Sequence, residues 1–88
     1  MDRLYTELRI WRRRDAETAV LYRCWEDLKT GRFAVQSADF FKRPIDASQL
    51  QGSDVQFAEL FIEVSPGERC LWFDSVEEAI TAHHSEFS

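Results

Sequence analysis

The apolar and polar positions of the 88-residue chain alternate in its first half and follow a helical period in its second. From Leu4 to Arg13, Leu4, Thr6, Leu8 and Ile10 fall on one side, and Tyr5, Glu7, Arg9, Trp11 and Arg13 on the other. A period of two marks a half-buried strand, here with Leu8 and Ile10 inward. The polar run Arg14 to Thr18 leads into Ala19–Phe41, which reads as a β-hairpin turning at Leu28-Lys29-Thr30-Gly31-Arg32. Val20, Leu21, Tyr22, Cys24 and Trp25 suit a pleated surface, and Gly31 takes a positive φ without steric cost.

Lys29-Thr30-Gly31 fits a three-residue loop with a left-handed glycine. That register pairs Leu28 with Arg32, Glu26 with Ala34, Cys24 with Gln36, Tyr22 with Ala38 and Val20 with Phe40. The other face then carries Trp25 beside Val35, Arg23 beside Ser37 and Leu21 beside Asp39. A four-residue loop moves every pair by one. Consecutive strands usually neighbour each other, so the three form a meander.

Pro44 has no N–H to give a ladder and ends the third strand. Asp46-Ala47-Ser48-Gln49 has the form of a capping box, and Gly52 is placed to end a short helix there. In Ser53–Val64, Phe57, Leu60, Phe61 and Val64 recur at i, i+3, i+4 and i+7, the stripe of an amphipathic helix. Ala58, Leu60, Ile62 and Val64 also alternate as a strand would; the helix is preferred. Ser65-Pro66-Gly67 breaks the element, and Cys70-Leu71-Trp72-Phe73 reads as a brief extended link. Ser75-Val76-Glu77-Glu78 caps the clearest helix, whose stripe is Val76, Ala79, Ile80, His83 and Phe87.

The expected fold is therefore α+β. A three-stranded antiparallel β-meander carries two or three helical segments packed on one face, including a C-terminal helix, and residues 1–88 form a single domain. Aromatic residues make up 14% of the chain, and their large buried areas help so small a domain build a core. No apolar run approaches the ~20 residues of a membrane span, and MDRLYTELRI lacks the apolar core of a signal peptide. Two cysteines, Cys24 and Cys70, make no disulfide framework. A cytoplasmic location is expected. Net charge is −5, divided as +3 over residues 1–43 and −8 over residues 44–88.

Sites for chemistry are sparse. No phosphate loop, zinc-finger spacing or nucleophile elbow occurs, and no cofactor or small-molecule substrate is implied. His83, His84 and Glu86 suggest a metal site, but adjacent helical residues point about 100° apart. Cys24 with a histidine suggests a thiol nucleophile, but a mid-strand core cysteine is usually inert. The side of the sheet holding Arg9, Trp11, Arg13, Arg23 and Trp25 is the candidate partner-binding face. Left open, it exposes Tyr5, Trp11, Leu21, Trp25 and Val35, a patch suited to a protein partner or a homodimer. Arginines among aromatics also resemble single-strand nucleic-acid platforms, though the acidic second half argues against nucleic acid. The expected function is a non-catalytic binding or interaction module. An acidic, immunity-type inhibitor of a basic enzyme and a weak single-stranded nucleic-acid binder are the alternatives.

Overall fold

The computed structural model describes residues 3–87, and side chains as far as Ser85. Three strands, β1 (Tyr5–Arg13), β2 (Thr18–Asp27) and β3 (Phe33–Lys42), are followed by α1 (Ala47–Glu63), α2 (Pro66–Arg69) and α3 (Val76–Phe87). The strands form one antiparallel sheet in the order β1-β2-β3, the α+β meander expected. β1 pairs with β2 without interruption from Tyr5↔Asp27 to Arg13↔Ala19.

The hairpin between β2 and β3 holds two registers. Asp27 N–H donates to the Arg32 carbonyl (2.9 Å) and Gly31 N–H to the Asp27 carbonyl (2.7 Å), closing a four-residue loop, Leu28–Gly31. Gly31 sits at φ 71° as the turn requires. The loop begins this early because the buried Asp27 carboxylate accepts the Lys29 N–H at 2.8 Å, and Arg3 at 2.9 Å. Near the turn the pairs are therefore Glu26↔Phe33, Trp25↔Ala34 and Cys24↔Val35, one residue off the three-residue-loop expectation. A bulge then absorbs Gln36, and Arg23↔Ser37, Tyr22↔Ala38, Leu21↔Asp39 and Val20↔Phe40 follow as expected.

The helical half resolves the ambiguity of Ser53–Val64. One 17-residue helix runs from the Asp46 capping box straight through Gly52. The expected stop at Gly52 gives way because a glycine inside a helix costs only about 1 kcal/mol against alanine, less than the packing of Phe57 returns. Ser65 caps the single turn of α2, with Pro66 in the first helical turn. Phe73 makes an isolated antiparallel bridge to Phe33, two N–H···O bonds of 2.8 Å, on the outer side of β3. Ser75 Oγ accepts the Glu78 N–H (3.1 Å) at the start of α3.

The helices do not share one face. Trp25 of β2 stacks on Phe57 of α1, with ring centroids 4.6 Å apart at 16°. Val20, Tyr22 and Cys24 point the opposite way and pack with Leu8, Ile10, Val35, Ala38 and, from α3, Val76 and Ile80. β2 is thus enclosed between two helical layers, and both of its faces are buried from Val20 to Trp25. Phe87, the last member of the expected α3 stripe, has its side chain outside the described residues.

Ile80 is half-buried against this second core, so Ile80→Ala is expected to cost about 2 kcal/mol, the low end for such truncations. Urea unfolding followed by circular dichroism checks this, with the midpoint falling at unchanged slope.

Candidate functional site

Arg9, Trp11, Arg13, Arg23 and Trp25 lie on one side of the sheet. Arg9 stands opposite Arg23, Trp11 opposite Leu21 and Arg13 opposite Ala19. Helix α1 closes much of this side, so the open patch of the sequence reading is corrected. Arg23 is 1% exposed, Trp25 7% and Leu21 fully buried, while Val35 points into the opposite core. Arg9, Trp11 and Arg13 stay exposed, with the Trp11 ring tilted on Phe41 at 5.7 Å.

Burying Arg23 beside a cross-strand arginine requires counter-charge, which α1 and β3 deliver. Asp39 accepts from Arg23 Nε at 2.9 Å, Asp54 from Nη2 at 2.8 Å, and Ser53 Oγ from both nitrogens. Asp54 also lies 3.5 Å from Arg9. The Arg23 guanidinium sits over the Phe57 ring at 5.4 Å, a favourable place for a cation. Its Nη1 has no hydrogen-bond partner among the described residues. A turn further along α1 the contacts become aromatic. Trp25 meets Phe57 and Phe61, Tyr5 sits edge-on to Trp25 and Phe61, and Tyr5 stacks on Trp72. Trp25 Nε1 donates to Gln36 Oε1 at 2.8 Å, so the bulge residue satisfies the buried indole N–H.

Between β1 and α1 lies an open groove of about 610 Å³, with Glu7, Arg9, Asp54, Ala58, Phe61 and Ile62 among its lining residues. Ala58 and Ile62 continue the helix surface outward from it, and Ile62 is 82% exposed. Beside them the outer edge of β1 pairs with no other described strand. Sequence reasoning missed Ala58 and Ile62 as surface residues because it used Ile62 only to weigh helix against strand. Placing the Phe57–Phe61 stripe inward puts Ile62 outward.

The opposite side carries a groove of about 700 Å³ under the end of α3, lined by Arg12, Arg14, Tyr22, Phe40, His83 and His84 among others. His84 Nε2 hydrogen-bonds the Tyr22 hydroxyl and lies 3.3 Å from Arg12. Among the described residues no three His, Cys, Asp or Glu side chains are grouped to hold a metal ion; Glu86 lies outside the described side chains. Cys24 is fully buried, and burial pushes its thiol up to about 12. That keeps it protonated and poorly nucleophilic at neutral pH. No helix is long and apolar enough to cross a membrane among the described residues.

No family model, curated protein or solved structure matches the chain.

Asp39→Ala is expected to cost about 3 kcal/mol, because it leaves Arg23 buried with half its counter-charge, whereas Arg23→Met costs less by removing the buried charge itself. Chemical denaturation of both variants checks the order. Cys24 adds a pH dependence. Its folded pKa lies above the unfolded value of 9.0, so the unfolded chain loses its proton first. The contribution of Cys24 is then complete below about pH 9 and is lost as pH rises toward 12. A Cys24→Ala variant, measured across that range, should show a shallower alkaline slope, with the remainder carried in part by Cys70, whose thiol burial also pushes up.

Proposed function

We propose that the chain is a small, cytoplasmic, non-catalytic protein-interaction module that binds along its β1–α1 side. One observation carries this reading. The outer edge of the nine-residue β1, paired with no other described strand, runs beside an apolar helix surface, Ala58 and the 82%-exposed Ile62, with a groove between them. An extended segment added to such an edge gains main-chain hydrogen bonds from the strand and side-chain selectivity from the groove. Of the residues expected to touch a partner, Arg9, Trp11 and Arg13 have the exposure to do so, and Arg23 and Trp25 support them from beneath. Their burial also argues against bases stacking on the sheet face, since Trp25 is already stacked on Phe57.

Panning a library of extended peptides against the immobilised chain tests the reading. Enriched peptides are expected to slow hydrogen exchange along β1 and to lose binding on Ile62→Asp, a surface change that leaves the fold intact. Single-stranded oligonucleotides, followed by tryptophan fluorescence, are expected to bind only weakly at physiological salt. Sub-micromolar oligonucleotide binding with a steep salt slope, and no peptide sensitive to Ile62→Asp, would overturn it.

A further inference from the structure

The two edges of the sheet differ. Along β3 the Gln36 bulge distorts the strand and the Phe73 bridge occupies the outer groups of Phe33, both devices that block further pairing. β1 is regular throughout its nine residues, with no bulge and no proline. Leu28 N–H donates to the Leu4 carbonyl and Arg14 N–H to the Thr18 carbonyl, so the even-numbered residues turn their backbone groups toward β2. In an antiparallel ladder these alternate. Tyr5, Glu7, Arg9, Trp11 and Arg13 therefore turn their N–H and C=O groups outward.

We propose that β1 pairs antiparallel with β1 of a second copy about a two-fold axis at Leu8, joining two sheets into one of six strands. This rests on the interaction reading of the β1–α1 side and names its partner. Outward groups must meet outward groups, so only registers that pair odd residues with odd are open. Centring the axis on Arg9 sets Arg9 against Arg9 of the other copy, and centring it on Glu7 sets two carboxylates together. Like charges directly opposite are destabilising. Centring on Ile10 gathers Arg9, Arg12 and Arg13 of both copies into one stretch. Centring on Leu8 sets Glu7 against Arg9 twice, Tyr5 against Trp11 twice, and Leu8 against Leu8, while Arg12 and Arg13 separate toward the ends.

The helix surface agrees with the strand. Asp54, Ala58, Phe61 and Ile62 line the groove on the β1 side. A new strand about 4.8 Å from β1 brings the α1 helices of both copies along the same side of the joined sheet, so Ala58 and Ile62 gain cover when the edge does. A two-fold contact of this kind is closed and self-limiting. It also gives the arginines of an otherwise aggregation-prone edge a role in choosing the register.

Sedimentation equilibrium of the full chain tests the pairing. The parent is expected to dimerise in the micromolar range. Glu7→Arg and Arg9→Glu should each weaken the dimer at least about tenfold, because each places two like-charged pairs across the axis. Circular dichroism and urea midpoints should stay near the parent's, since the Arg9–Asp54 pair that Arg9→Glu removes is exposed and worth little. Mixing the two variants should restore association as a heterodimer, one strand carrying arginine at both positions and the other glutamate. The double variant, with the charges exchanged, should dimerise like the parent. A parent that stays monomeric at about 100 µM would overturn self-pairing and leave the interaction reading to the peptide experiment. A dimer indifferent to both charge variants would overturn the β1 edge, and a mixture no tighter than its components would overturn the Leu8 register.

Discussion

β2 has no face toward water. Antiparallel sheets commonly keep one wet face, and their strands then alternate between apolar and polar residues. β2 instead runs Ala19-Val20-Leu21-Tyr22-Arg23-Cys24-Trp25, and every residue from Val20 to Trp25 is buried. Leu21, Arg23 and Trp25 belong to the layer under α1, and Val20, Tyr22 and Cys24 to the layer under α3. Each helix therefore depends on a strand that the other helix also covers. A change that loosens β2 weakens both layers together, so an 88-residue chain of modest stability should unfold as one unit.

Arg23 is the exception within that run and explains how the charge of the chain is used. The sequence divides into a basic first half and an acidic second half, which in isolation suggests a polarised surface. Part of that complementarity is used within the molecule. Arg9 and Arg23 of the sheet meet Asp54 of α1, and Arg32 meets Asp74 before α3. The two halves attract each other across the sheet–helix boundary. The contribution of each exposed pair is small, but the buried Arg23 guanidinium, bonded to Ser53 and Asp54, ties that turn of α1 to its place along β2.

The strands were legible because their signals are local. The alternation of β1, the apolar run of β2, Gly31 at the turn and Pro44 after β3 each act through neighbouring residues. The far half of the hairpin register was legible as well, but the near half was not. The four-residue loop depends on the Asp27 carboxylate, and the Gln36 bulge depends on a buried indole across the ladder. The placement of the helices escaped for a related reason. Periodicity locates an apolar stripe on a helix but does not say which side of the sheet receives it. The lack of alternation in β2, beside its presence in β1, is the signal for two covers, one that strand propensity by itself does not carry. For the candidate site the consequence is direct. Alternation puts Arg9, Trp11, Arg13, Arg23 and Trp25 on one side of the sheet, and α1 makes Arg23 and Trp25 interior.

The order of the elements along the chain adds a condition of its own. All three strands precede Pro44, and everything that covers them follows it. As the polypeptide is synthesised, the hairpins have short-range partners and can pair early, yet Trp25 has no ring to stack on until Phe57 is made. Tyr22 waits longer still, for His84. During that interval the nascent meander is an uncovered apolar sheet with a cation in its middle. Until α1 arrives, Arg23 stands on that sheet face with Glu7, Arg9, Arg13 and Asp39, charged groups that favour contact with water over premature stacking.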